Sequence, residues 1–199
     1  MSLGDFKLLY AASCVLLGLI ILSPTLAFVV RLPEGERFSE LYVLGSEHLA
    51  EEYPFNVSAK GVYRVFLGVG NHMGVLEDYV VYVKLRNQSD SLPDSVNGRS
   101  SSLEPLFEYR VALRDGGVWE KEVSFSLDGI SRYGNFCRIS GLVVDDYLVA
   151  FDKVAAWNSR TGGFYYQLFF ELWRLDGTVS AFEFHNRFVG VWLNVTMPT

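Results

Sequence analysis

GVWEKEVSFSL, residues 117–127, alternates along its length. Trp119, Lys121, Val123, Phe125 and Leu127 fall on one side, against Val118, Glu120, Glu122, Ser124 and Ser126 on the other. A period of two describes a β-strand with one face on a core. GVYRVFLGV places Tyr63, Val65, Leu67 and Val69 on one face, and DYVVYVKLR does so with Tyr79, Val81, Val83 and Leu85. Near the end, FVGVWLNVT sets Val189, Val191, Leu193 and Val195 against Phe188, Trp192, Asn194 and Thr196. Turn signals separate these runs: Gly70-Asn71-His72-Met73-Gly74, Asp115-Gly116-Gly117, Asp128-Gly129, Thr161-Gly162-Gly163 and Asp176-Gly177. No long 3.6-residue period follows residue 37. The expectation is an all-β, immunoglobulin-like antiparallel β-sandwich over residues 38–199.

Ahead of the strands stands LLYAASCVLLGLIILSPTLAFVV, residues 8–30, without a charge. As a helix, a run of that length reaches about 34 Å, enough to cross a hydrocarbon core. A cleaved signal peptide competes, with Thr25-Leu26-Ala27 as a small-x-small site before Phe28. The run continues past that site through Val30, which favours an uncleaved signal anchor. The expected order is therefore a tail at 1–7, one N-terminal transmembrane α-helix at 8–30, a linker at 31–37 and the sandwich. Basic residues flank the run almost evenly, with Lys7 before it and Arg31 and Arg37 after it. The N-glycosylation acceptors Asn56, Asn87 and Asn194 all follow the run and favour an extracytoplasmic carboxyl-terminal domain. The expected location is the cell membrane, single-pass, with the lipid bilayer as partner through residues 8–30.

With 199 residues, half of them hydrophobic, the chain can bury a core and is too apolar to be disordered. A net charge of −6 gives no footprint for nucleic acid. The cysteines, Cys14 and Cys137, form neither a disulfide framework nor a zinc spacing, and Cys137 reads as a small buried hydrophobe. His48, His72 and His185 lie far apart, so neither a metal nor a cofactor is expected. The doublets Glu51-Glu52 and Asp145-Asp146 do not make acid–base pairs, because neighbours on a strand face opposite ways. Glu40 either faces solvent or pairs with an arginine such as Arg64. No nucleophile motif is present, and no enzyme is expected.

Two stretches break the rhythm. SDSLPDSVNGRSSS, residues 89–102, is small and polar, so a mobile loop is expected at about 88–104. GGFYYQLFFELWRLDG, residues 162–177, reads either as a central strand buried on both faces or as a sticky aromatic platform.

FSELYVLG at 38–45, AEEYP at 50–54, GVYRVFLGVGNHMG at 61–74 and YVVYVKLRN at 79–87 together resemble a family of uncharacterised archaeal membrane proteins, domain of unknown function 1616. The resemblance extends over most of residues 37–195. Members often carry several membrane helices before the domain, where this chain carries one apolar run. The resemblance implies a membrane-associated domain and supplies no activity. It marks Asn71 and His72 as a family-like turn, whose side chains would close the turn by hydrogen bonds.

The leading functional expectation is a membrane-anchored, extracytoplasmic, non-catalytic interaction or structural subunit of an archaeal cell-envelope or membrane complex, with a membrane or envelope protein as partner. The alternative is a module that binds glycan or surface polymer through the aromatics Trp157, Trp173 and Trp192. A further alternative is an envelope glycan- or lipid-processing enzyme.

Overall fold

The computed structural model describes residue 7, residues 10–20 and residues 36–196. The chain divides into two compact units, Met1–Glu36 and Arg37–Thr199. In the first, residues 10–20 are helical, and Ser13 Oγ donates to the Tyr10 carbonyl at 2.8 Å. Among the described residues no helix is long and apolar enough to cross a membrane. Residues 8–9 and 21–30 of the expected span, and the site before Phe28, lie outside the described residues. The transmembrane helix, the bilayer partner through residues 8–30 and the single-pass membrane location with an extracytoplasmic domain are corrected accordingly.

The second unit is built from strands. β1 (Phe38–Leu44), β3 (Tyr63–His72), β6 (Val118–Asp128), β7 (Ser131–Tyr133), β8 (Phe136–Val144) and β9 (Tyr147–Ala156) make the first sheet, with β9 paired to β8. β2 (Asn56–Ser58), β4 (Glu77–Asn87), β5 (Phe107–Leu113), β10 (Tyr165–Asp176) and β11 (Ala181–Thr196) make the second, in the order β2-β11-β10-β4-β5. β2 runs parallel to β11, which further corrects the expectation of a wholly antiparallel sandwich. The Asp128↔Gly141 and Ser131↔Arg138 pairs lie in one register, so β6 and β7 form a single interrupted strand opposite β8. Gly129 makes the interruption with φ of 61°, where a side chain would strike Ser140.

Alternation explains the core. Val65, Leu67 and Val69 of β3 and Val123, Phe125 and Leu127 of β6 point inward from the first sheet. Val81, Val83 and Leu85 of β4 meet them from the second, with Leu168, Phe170 and Leu172 of β10. Lys121 breaks the inward face of β6 and reaches Asp145 at 2.9 Å. Asp145 and Asp146, with φ of 46° and 69°, turn the β8–β9 hairpin, so this doublet is turn chemistry.

Three tyrosines of the second sheet cross the core and hydrogen-bond into the first. Tyr79 meets Ser39 Oγ at 2.7 Å, Tyr109 donates to Asp145 at 2.8 Å and Tyr166 donates to the Cys137 carbonyl at 2.6 Å. Burial pushes all three phenols up, and for Tyr109 the Asp145 carboxylate adds to it. Each ring fills the core while its hydroxyl fixes one sheet against the other. The Tyr166 oxygen also accepts from the Ala155 amide at 3.1 Å. Tyr166→Phe should therefore lower the unfolding free energy by about 1–3 kcal/mol in urea denaturation. Tyr165→Phe, which loses only an exposed bond to the Thr161 carbonyl, should stay within about 0.5 kcal/mol.

Candidate functional site

β10 is the central strand of the second sheet, and its inward residues Tyr166, Leu168, Phe170 and Leu172 belong to the core. Its other residues face away from the first sheet, and cross-strand register arranges them in rows. Arg110, Val80, Trp173 and Phe184 share one row; Glu108, Tyr82, Glu171 and Phe188 share the next. Lys84, Phe169 and Gly190 follow, then Arg86, Gln167 and Trp192. The stretch expected to be either buried strand or aromatic platform is thus buried from Tyr166 through Leu172 and half-buried from Trp173 through Asp176.

At the centre of this face lies an ion pair. Lys84 Nζ stands 2.8 Å from Glu171 Oε2, with side-chain exposures of 3% and 0%. The carboxylate also accepts from the Ser101 amide at 3.0 Å and from Trp173 Nε1 at 3.1 Å. The ammonium reaches Ser101 Oγ at 3.1 Å and the Ser101 carbonyl at 3.5 Å. The pair therefore seats the end of the 88–104 loop on the sheet and orients the Trp173 indole. Further along the loop, Asp94 and Arg99 exchange backbone hydrogen bonds at 2.8 and 2.9 Å. Ser101 beside an amine invites a nucleophile reading, but the hydroxyl is buried and the amine is committed to Glu171.

The loop leaves one end of the face open. There Tyr82 meets Trp173 edge-on at 5.4 Å, Phe184 lies 6.2 Å beyond, and Phe182 sits below the Arg110 guanidinium at 5.5 Å. All four rings are half-buried. Two clefts lie at this end of the sheet, and Phe182 lines the smaller of them. One of about 350 Å³ is lined by Asp78, Arg110, Leu175 and Phe182 among others. The other, of about 450 Å³, is lined by Glu77, Asp78, Arg174, Asp176 and Thr178 among others. The Asp176 carboxyl is held below its usual range by hydrogen bonds from the Thr178 hydroxyl and amide.

Trp192 lies at the opposite end of this face, with Arg86 4.8 Å over its ring and Arg86 Nε donating to Gln167 Oε1 at 2.7 Å. Six positions of β10 separate their rows, roughly 20 Å. Trp157 is not part of the face. It follows β9, with Phe164 edge-on at 5.0 Å and Arg132 5.7 Å away. The three candidate tryptophans therefore lie in separate places, and Tyr82, Phe182 and Phe184 stand with Trp173. The alternation of Phe182 and Phe184 in AFEFH was the available signal.

Asn71 is buried and clamps two turns, donating to the Val75 and Leu113 carbonyls at 2.8 and 2.7 Å and accepting from the Met73 amide at 2.9 Å. His72 stacks on Phe38 at 4.7 Å and lies 3.6 Å from Glu40, while Arg64 pairs with Glu122. The turn is structural on this geometry. The three acceptor asparagines differ. Asn56 is exposed; Asn194 donates to it at 3.0 Å and keeps its own Oδ1 buried without a partner among the described residues. Asn87 donates to the Val154 carbonyl and accepts from the Ser89 and Asp90 amides. Among the described residues no group of His, Cys, Asp and Glu side chains could hold a metal.

Residues 32–144, which contain the Asn71 clamp and the β4 half of the ion pair, match the family described as domain of unknown function (DUF1616). The chain belongs to that family. No curated protein matches it. Among solved structures, it is similar to a β-glucosidase from Listeria innocua at 11% identity and a TM-score of 0.40, over 81% of this chain and 16% of that one. A β-glucosidase from Erythrobacter marinus gives 11% and 0.38, over 80% and 16%. A β-D-glucoside glucohydrolase from Trichoderma reesei gives 10% and 0.33, over 81% and 19%. The chain thus spans less than a fifth of each of these structures. Likeness at these scores assigns no activity. The expectation of a membrane-anchored, non-catalytic envelope subunit is withdrawn, because among the described residues no helix is long and apolar enough to cross a membrane, and the expectation of no enzyme is withdrawn with it.

A buried polar chain stands at the edge between the sheets. The register shift of β11 opposite Leu172 and Trp173 brings His185 Nε2 to 3.0 Å from Ser39 Oγ, which in turn meets Tyr79. Burial, with Arg174 and Arg187 nearby, lowers His185 from 6.5 to about 4. Above pH 6.5 both folded and unfolded chains carry neutral imidazole. As pH falls toward 4 the unfolded chain takes up a proton that the folded chain refuses, so stability drops through that window and levels off below it. His185→Gln should flatten that slope in urea midpoints measured from pH 7 downward.

Breaking the ion pair from either side leaves a buried polar group unmatched. Lys84→Met or Glu171→Leu should each cost about 3–5 kcal/mol in denaturant unfolding, and the double variant should recover much of that loss. Additive losses would show that the two side chains do not depend on each other.

Proposed function

We propose that the DUF1616 domain binds carbohydrate on the open end of its second sheet's outer face. The observation that carries this reading is the half-buried grouping of Tyr82, Trp173, Phe182 and Phe184 at the end of the sheet that also holds two clefts. A pyranose ring has a flat C–H face that packs on an aromatic side chain, while its hydroxyls need planar polar partners at the rim. Asp78, Asp176 and Thr178 stand where such hydroxyls would lie. A partly exposed aromatic surface rimmed by polar groups is also the usual mark of a ligand site on a folded domain.

Rigidity supports the same reading. Glu171 fixes the Trp173 indole through Nε1, so little side-chain freedom remains to be lost when a sugar stacks on it.

A glycan-processing enzyme is the second reading, and one observation favours it: Asp78 and Asp176 line the same cleft. Hydrolysis needs one protonated and one ionised carboxyl group, and Asp176 is held ionised, which suits only the base or nucleophile. Asp78 would then have to act as the acid.

On a glycan array followed by calorimetry with the strongest hit, the full-length chain should bind, and Trp173→Ala should weaken binding at least tenfold. Trp157→Ala should leave affinity within twofold. Reducing-end assays on the same glycans read hydrolysis separately. Retention of full affinity by Trp173→Ala, with the fold intact by circular dichroism, would move the site elsewhere.

A further inference from the structure

The outer face of the second sheet carries rings at both of its ends. At the end away from Trp173, Trp192 stands opposite Gln167 and Asn194 opposite Tyr165, so Trp192 and Tyr165 are diagonal neighbours on that face. Phe55 lies 6.1 Å from the Tyr165 ring, just ahead of the pairing of Asn56 with Asn194. Trp192 is 39% exposed and Phe55 46%, while Tyr165 is half-buried. The rings are held in place. Arg86 lies over Trp192 while donating to Gln167 and to the Asp90 carbonyl, and Tyr165 donates to the Thr161 carbonyl. Amides stand beside them, with Asn56 exposed and accepting from Asn194. Between the two ends the 88–104 loop crosses the face. Its Ser101 bonds Glu171 and Lys84, and a side chain at Gly98 would come within 3.4 Å of Asn186 Oδ1 on β11.

Resting on the carbohydrate-binding role given above, we propose that the two ends grip one glycan chain, so that the ligand is a polysaccharide long enough to cross the loop. Both ends offer a fixed aromatic surface with polar groups beside it, on which a sugar ring packs at little cost in side-chain freedom. Trp173 and Trp192 stand roughly 20 Å apart along β10, too far for a monosaccharide or disaccharide to touch both. A chain held at one end meets the other as an intramolecular step. The effective concentration of that step is near zero until the chain spans the gap and highest when its length matches the gap. Affinity therefore rises at a threshold length rather than in proportion to length. Ser91, Asn97 and Ser102 are exposed on the loop, so the segment that crosses it meets hydrogen-bonding groups.

Calorimetry of the full-length chain with laminari-, manno- and xylo-oligosaccharides, each series running from disaccharide to dodecasaccharide, tests the two-ended grip. The expected result, in at least one series, is binding of short members that tightens at least tenfold once a threshold length is passed. Trp192→Ala should abolish that gain and leave the short members bound as before, which also reports an intact fold. Trp192→Phe, which keeps a ring, should retain most of the gain. Affinity that is flat with length, or a gain that survives Trp192→Ala, overturns the two-ended grip and leaves carbohydrate binding at the Trp173 end standing. Absence of binding by every member of all three series overturns the binding role itself, and the grip with it.

Discussion

The buried pair of Lys84 and Glu171 constrains more of this domain than any other contact. It joins the central strand of the second sheet, β10, to its neighbour β4 on the face away from the core, where among the described residues no opposing sheet buries it. The cover comes from the 88–104 loop, whose Ser101 hydrogen-bonds both partners. Desolvating two charges is costly unless every remaining donor and acceptor is matched. Here the matching groups are the loop backbone, the Ser101 hydroxyl and the Trp173 indole. One electrostatic requirement therefore holds the loop down, decides where the face is covered and presents Trp173 at the boundary of the exposed part.

The strand pattern was legible because the inward faces of β3 and β4 obey a period of two without interruption. Tyr79, Val81, Val83 and Leu85, and likewise Val65, Leu67 and Val69, belong to the core assembled around them. The β10 stretch was harder. Its Phe169 and Glu171 face outward yet are fully buried, and over Glu171 the cover is a loop rather than a sheet. Alternation cannot reveal that, since both faces of such a strand are apolar or paired. The single charge in each of FFELW and VYVKL was the local sign of a pair; their partnership depends on β4 lying beside β10, a long-range fact.

The candidate site was only partly legible for the same reason. Tryptophans stand out in a sequence, but which of them share a surface depends on sheet order and register. Trp173 and Trp192 lie on one face at separate ends, and Trp157 belongs with Arg132 and Phe164. The Asp145-Asp146 doublet and the β11 register shift show a second limit. Backbone with positive φ, or with a changed register, re-aims side chains in ways that period counting does not follow. The Asn71 turn, by contrast, was readable from short-range chemistry, because an asparagine between glycines in a turn has few better uses than bonding nearby backbone.

The most direct measurement is a two-dimensional NMR titration that follows the indole N–H resonances of the four tryptophans as neutral oligosaccharide is added. Binding at the open aromatic end moves the Trp173 resonance in a saturable way and leaves Trp157 in place. Movement confined to Trp157, or a spectrum unchanged at saturating sugar, would contradict the assignment of this face as the site.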